Sequence, residues 1–95
     1  MQIAEAAKLA ETFIATYSAA RGFFRRSNDP KDFTMKLRLV QPMPDGETIR
    51  LTFHRNGDLG VKNVELDAIV EECVAALVAA HPEVGDFEFE YHYIG

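Results

Sequence analysis

The chain has 95 residues, of which 47% are hydrophobic and 26% charged, and its formal net charge is −5. These values exclude a disordered chain, and no apolar run approaches the roughly 18 residues that a membrane span needs. We expect one domain over residues 1–95, with a single two-layer core and little room for an enclosed substrate cavity.

The N-terminal stretch and the cysteine content indicate the cellular compartment. MQIAEAAKLAETF carries Glu5 and Glu11 and has no basic region before an apolar block, so it does not resemble a signal peptide. Cys73 is the only cysteine, which excludes an internal disulfide. Both features predict a cytoplasmic protein without a membrane partner.

Charge is distributed unevenly along the chain. All ten lysine and arginine residues lie in residues 1–62, whereas residues 63–95 contain eight acidic residues and no lysine or arginine. One interpretation is a bipolar surface with an acidic partner-binding side. The other, which we favour, is that the two halves neutralise each other within one fold.

The first predicted element is a helix over residues 2–21. Its apolar residues recur at spacings of three and four and therefore form one stripe. The members of this stripe are Ile3, Ala6, Ala7, Ala10, Phe13, Ile14, Tyr17 and Ala20. Gly22 follows directly, and glycine suits the left-handed conformation that ends a helix. Residues 22–32 are interpreted as a linker.

Two strands joined by a tight turn are predicted next, over residues 32–40 and 47–55. Apolar and polar residues alternate in both, which is typical of an antiparallel sheet with one solvent-facing side. The residues expected to face inward are Phe33, Met35, Leu37, Leu39, Ile49, Leu51 and Phe53. Between the strands, Pro44 fits the first central position of a type I turn, and Gly46 fits the positive φ of a bulged hairpin.

The segment RNGDLGV, residues 55–61, indicates a second hairpin. A two-residue loop would turn Leu59 and Val61 to the solvent side, whereas a three-residue loop over residues 56–58 keeps both inward. A short extra strand over residues 59–62 is therefore expected.

A second helix is predicted over residues 64–80, with Asn63 as its cap. Its expected buried stripe is Leu66, Ile69, Val70, Cys73, Val74, Leu77 and Ala80. His81 and Pro82 end it, because a residue before proline disfavours helical geometry. The chain then finishes in FEFEYHYIG, residues 87–95, a strand whose aromatic residues are expected to face the core.

The order α-β-β-(β)-α-β predicts an α+β fold. Two helices would pack on one face of a mostly antiparallel sheet of three to four strands, forming a two-layer sandwich. The terminal strand lies at an edge whether it pairs with the first strand or, without the extra strand, with the second. We prefer antiparallel pairing with the first strand, which sets Glu88 and Glu90 beside Lys36 and Arg38.

No catalytic, cofactor or metal motif stands out from the sequence. His54, His81 and His92 lack ligand spacing such as HxH, and the preferred strand order separates His54 from His92, so surface imidazoles are expected. Cys73 lies on the buried stripe of a helix, where a thiol is usually inert. Glu71 and Glu72 are adjacent but face different ways around the helix, so they do not form a paired carboxylate site. We therefore do not expect an enzyme.

Two functional hypotheses remain, and the preferred one is a small non-enzymatic protein-binding module. It would act by contact as an adaptor, an inhibitor or an assembly component. Its contact surface would be an acidic helix face with its exit loop, the open edge of the terminal strand, or both. That edge also offers a route to a homodimer. The candidate partner-binding residues are Asp67, Glu71, Glu72, Glu83 and Asp86.

The alternative hypothesis is a nucleic-acid-binding domain that uses the loop over residues 21–31. RGFFRRSNDPK mixes basic and aromatic side chains, which can grip a phosphate backbone and stack a base. The candidate contacts are Arg21, Arg25, Arg26 and Lys31. Nucleic acid is the less favoured partner, because four charges are few and the domain is acidic overall.

Overall fold

The computed structural model describes residues 1–22, 34–56 and 62–95 in full, together with the backbone of residues 25–26 and of Phe33. The described elements confirm the predicted α+β order. In chain order they are α1 (Ile3–Arg21), β1 (Arg25–Arg26), β2 (Phe33–Pro42), β3 (Thr48–Asn56), α2 (Asn63–Ala80), a 3-10 helix (Pro82–Asp86) and β4 (Glu88–Ile94).

Helix α1 ends as the sequence predicts but buries a different last residue. Gly22 takes a left-handed φ of 66° and donates its N–H to carbonyls of the last turn. Ser18, one turn after the buried Ile14, is buried, whereas Ala20 is exposed. The Ser18 hydroxyl donates to the Ala15 carbonyl at 3.2 Å, and this bond satisfies the polar group inside the core.

Strands β2 and β3 form the predicted antiparallel hairpin. Gly46 has a φ of 73°, which confirms its place in the turn. The carboxylate of Asp45 accepts the N–H groups of Glu47 and Thr48 at 2.8 and 2.9 Å. These bonds, with one from the Thr48 hydroxyl, hold the pKa of Asp45 below its usual value and fix the turn.

A β-bulge in β2 changes which side chains face the core. Leu37 lies opposite Phe53 but Leu39 lies opposite Thr52, so Arg38 is an extra residue. Leu39 therefore turns to the face of the sheet away from the helices, which we call the open face, and is 48% exposed there. Val40 takes the buried position. The prediction that Leu39 faces inward was wrong, because strict alternation does not reveal an inserted residue.

Strand β4 pairs with β3 in parallel, with partners running from Thr48 and Glu88 to His54 and Ile94. The preferred antiparallel pairing with the first strand was wrong. The far edge of β2 is occupied by β1, within the segment interpreted as a linker, through the pairing of Arg25 with Thr34. A helix is the usual crossover between parallel neighbours, and α2 has this role.

The sheet order is β1-β2-β3-β4, which confirms that the terminal strand lies at an edge of the sheet that the described strands form. One cluster of buried residues from both helices, β2, β3 and the 3-10 helix forms the core between the helices and one face of the sheet. The expected extra strand falls on residues 59–62, of which only Lys62 lies within the described residues.

Helix α2 begins one residue earlier than predicted. Lys62 is extended and caps the helix, so Asn63 is not the cap but the first helical residue. The side-chain oxygen of Asn63 instead accepts a hydrogen bond from Arg55 at 3.0 Å. Most of the predicted stripe is buried or half-buried, but Ala80 at its end is exposed. None of the described helices is long and apolar enough to cross a bilayer.

The burial pattern of α2 predicts that replacing valine by alanine at two positions lowers the free energy of unfolding by different amounts. Val70 is fully buried, so Val70→Ala should lower the free energy of unfolding by about 2 kcal/mol through lost methyl burial and a cavity. Val64 is 69% exposed, so Val64→Ala should change it by less than about 0.5 kcal/mol. Urea unfolding followed by circular dichroism measures both, and equal costs would contradict this orientation of α2.

Candidate functional site

The five acidic residues proposed from the sequence do not form one patch. Asp67 and Glu71 lie one turn apart on α2, and, in addition to burial, both raise the pKa values of the β4 residues Tyr91 and Tyr93. Glu72 points toward α1, where its carboxylate lies 3.6 Å from Arg21. The rest of α2 adds about 20 Å of rise beyond Asp67. Glu83 and Asp86 lie past that end, in the 3-10 helix.

Tyr93 connects β4 to α2. Its hydroxyl donates to Asp67 Oδ1 at 2.5 Å, and its ring stacks on Phe53 with centroids 5.9 Å apart. Burial, followed by the bond to Asp67, raises the pKa of Tyr93 well above its ordinary value. Burial and then the charge of Glu71 also raise the pKa of Tyr91. The helix side of β4 therefore carries two neutral hydroxyls beside two carboxylates.

The open-face side of β4 is also acidic. Glu90 accepts hydrogen bonds from Arg50 at 2.9 and 3.5 Å, which lower the pKa of Glu90 and raise that of Arg50. Glu88 is exposed on the same side, and His92 follows Glu90 along the strand. The predicted pairing of Glu88 and Glu90 with Lys36 and Arg38 was wrong, because β3 lies between β2 and β4, and Glu90 pairs with Arg50 of β3 instead.

The backbone of β4 has a defined outer row of hydrogen-bonding groups. The Glu88 N–H donates to the Glu47 carbonyl at 2.9 Å, so it points toward β3. Because backbone groups alternate sides along a strand, Glu90 and His92 share that direction. The alternate residues Phe89, Tyr91 and Tyr93 therefore point the other way, toward the outer edge. Each presents one donor and one acceptor there.

This outer edge has few of the features that discourage strand addition. No described strand lies beyond β4 in the sheet. Its seven residues, EFEYHYI, contain no proline or lysine, and its pairing with β3 shows no register shift. Natural proteins often protect an edge with proline, lysine, a bulge or a covering element. Within the described residues, β4 is therefore a regular strand that can accept another strand.

The basic segment proposed for nucleic acid is described only in part. The guanidinium of Arg21 lies 5.8 Å from the centre of the Tyr17 ring and also contacts Glu72. The backbone of Arg25 and Arg26 forms β1 and pairs with β2. The side chains of these two arginines, and all of Lys31, lie outside the described residues. Nucleic-acid binding through this segment stays a prediction.

His81 lies away from the other two histidines, at the end of α2. His81 packs its ring edge-on against Phe13, with centroids 6.0 Å apart. His54 and His92 are on adjacent strands rather than separated by a strand as predicted, but His92 pairs with Thr52 and is offset from His54. Among the described residues, no group of three histidine, cysteine or acidic side chains could hold a metal ion.

Cys73 is fully buried in the core on α2. Burial, with a smaller effect from Glu72, raises the pKa of its thiol to about 11. The thiol is therefore protonated at neutral pH. A protonated, enclosed thiol is a poor nucleophile and a poor metal ligand.

No protein-family model matches the chain, and neither a curated protein nor a solved structure was found to resemble it. The functional argument consequently depends on the geometry of the chain itself. Its most distinctive surface is the β4 edge, which we define as the outer backbone groups of Phe89, Tyr91 and Tyr93 with the flanking side chains of Asp67 and Glu71.

Sequence reasoning identified some of this surface and missed other parts. The spacing of four residues between Asp67 and Glu71 already places both on one side of a helix. The contact between Tyr93 and Asp67 joins residues 26 positions apart and has no local signal. The direction of the outer backbone groups depends on which strand β4 pairs with, and this pairing was predicted wrongly.

The bond between Tyr93 and Asp67 generates a stability prediction. Tyr93→Phe should lower the free energy of unfolding at neutral pH by about 1–2 kcal/mol, since the bond has a charged acceptor. An unfolded tyrosine ionises near pH 10, whereas folded Tyr93 keeps its proton, so its stabilising contribution is lost as pH rises above about 10. The variant should therefore lose stability less steeply than the natural chain above that pH.

Tyr91→Phe is the matched control for this experiment. It removes a hydroxyl for which no hydrogen bond to a carboxylate is present among the described residues, so its cost at neutral pH should be smaller. Urea unfolding at a series of pH values measures both variants. Equal losses at neutral pH, or an unchanged alkaline slope in Tyr93→Phe, would contradict the role of the Asp67 bond.

Proposed function

We propose that this chain is a small non-enzymatic protein-binding module that acts by contact, as an adaptor, an inhibitor or an assembly component. Its partner would add an extended segment to the β4 edge. The observation that carries this proposal is the outward row of backbone groups at Phe89, Tyr91 and Tyr93. Main-chain hydrogen bonds of this kind provide affinity in strand addition, and the flanking side chains provide specificity.

The placement of the reactive side chains supports a contact function rather than catalysis. The thiol of Cys73 is enclosed and protonated. His54 and His92 are exposed on the sheet, and His81 lies at the end of α2 against Phe13. A general acid–base site needs such groups to converge on one cleft with matched pKa values. Cys73 and His81 lie away from the two histidines of the sheet, and those two lie on an exposed sheet face rather than in a cleft.

Within the proposal, we restrict the acidic contact surface to the residues that lie against β4. Asp67 and Glu71 flank β4 directly, so we include both. Glu72 contacts Arg21 on the α1 side, and Glu83 and Asp86 belong to the 3-10 helix, so these three are secondary. We keep a cytoplasmic location as part of the proposal, supported by a single, buried cysteine.

A pair of substitutions at Tyr91 isolates the backbone edge. Tyr91→Pro and Tyr91→Ala both remove the aromatic ring, but only proline also removes the outward N–H. Proline is tolerated in an edge strand where the N–H faces away from the sheet, so pairing with β3 should persist. In affinity capture from an extract of the source cells, with quantitative mass spectrometry, the partner should bind the natural chain and Tyr91→Ala and be lost with Tyr91→Pro.

The control variants separate this proposal from its alternatives. Glu72→Lys changes the charge of α2 on the α1 side, and Arg25→Glu with Arg26→Glu changes the basic segment, so both should leave capture intact. Equal capture by the two Tyr91 variants would contradict binding through the edge. If capture depends instead on Arg25 and Arg26 and releases nucleic acid at high salt, the nucleic-acid hypothesis is favoured.

A further inference from the structure

We propose that the segment which pairs with β4 is an extended stretch rich in lysine and arginine. This inference rests on the proposed function and specifies the chemistry of its partner. The outward backbone groups would accept any extended chain, so they do not select among sequences. Selection has to come from the side chains that flank the edge on the two faces of the sheet.

On the helix face, the flanking groups are carboxylates held next to the edge strand. The Tyr93 hydroxyl bond fixes Asp67 against β4, and Glu71 is close enough to affect the ionisation of Tyr91 and Tyr93. A paired strand lies about 4.8 Å from its neighbour, so its helix-side residues would come within reach of both carboxylates. A lysine or arginine at those positions would meet complementary charge.

On the open face, the side chains next to the edge are also acidic: Glu88 and Glu90. Both are exposed, and Glu90 forms a salt bridge with Arg50 of β3. Residues 63–95 contribute no lysine or arginine to either face. Because side chains of an added strand alternate between faces, basic residues would find carboxylates on whichever face they point to.

Charge also argues against two other occupants of the edge. A nucleic-acid backbone would be repelled by carboxylates on both faces. In a second copy paired antiparallel about Tyr91, Glu90 would face His92, but Asp67 and Glu71 of both copies would crowd one side of the joined sheet. Like charges across a strand pair are destabilising, so a basic partner segment fits the edge better than another β4.

Three matched peptide probes test the proposed chemistry. Each alternates threonine with one other residue, lysine, glutamine or glutamate, over about nine residues, enough to span the seven residues of β4. Fluorescence anisotropy with the full chain measures their affinities. The lysine peptide should bind at least about tenfold more tightly than the glutamine peptide, the glutamate peptide should not bind, and the preference should shrink as salt rises.

Charge-removing variants then identify which carboxylates give the preference for the lysine peptide. Asp67→Asn with Glu71→Gln keeps the shapes of the side chains and should weaken the lysine peptide by about threefold or more without changing the glutamine peptide. Glu5→Gln with Glu11→Gln makes the same charge change on α1 and should change neither peptide. Tyr91→Pro should abolish binding of the lysine peptide, whereas Tyr91→Ala should retain it.

Several outcomes would overturn the inference. These are equal binding of the three probes, no binding of the lysine peptide, or equal weakening by the α1 control variant. A dimer in light scattering that Tyr91→Pro converts to a monomer would assign the edge to a second copy. If the lysine peptide does not bind but Tyr91→Pro still abolishes partner capture, only the basic chemistry of the partner is wrong. If Tyr91→Pro also leaves partner capture unchanged, the proposed function is wrong as well.

Discussion

The parallel pairing of β4 with β3 is the constraint on which the rest of the surface depends. Parallel neighbours need a crossover, and α2 provides it between β3 and β4. With β1 and β2 on the other side of β3, β4 lies at the end of the described sheet. The pairing also sets the direction of each backbone group in β4.

This arrangement determines the chemistry around the edge. The crossover helix lies over its own return strand, which brings Asp67 to the hydroxyl of Tyr93. The parallel register places Glu90 opposite Arg50, and their hydrogen bonds fix the strand on the solvent-facing side. The edge is thereby held from both faces while its outer backbone groups still point away from β3. A rigid, preorganised edge lowers the conformational cost of adding a partner strand.

Local patterns in the sequence predicted the helices and strands themselves better than they predicted which strands pair with each other. The 3.6-residue period located both helices to within one residue of each start, and alternation located the hairpin and its turn. The bulge at Arg38 escaped prediction because one inserted residue leaves no compositional signal. Strand β1 has only two residues, Arg25 and Arg26, too few for a period. Without β1, the edge of β2 was predicted to be free for β4, and the charges of Lys36 and Arg38 reinforced that choice.

Amide hydrogen exchange of the free chain, measured by nuclear magnetic resonance, tests the edge arrangement most directly. With β4 paired to β3 in parallel, the amides of Glu90 and His92 bond to β3 and should exchange slowly. Those of Phe89, Tyr91 and Tyr93 face outward and should exchange much faster. Slow exchange at all five amides would mean that the edge is already covered. The reverse alternation, with slow exchange at the odd-numbered residues, would contradict the pairing of β4 with β3.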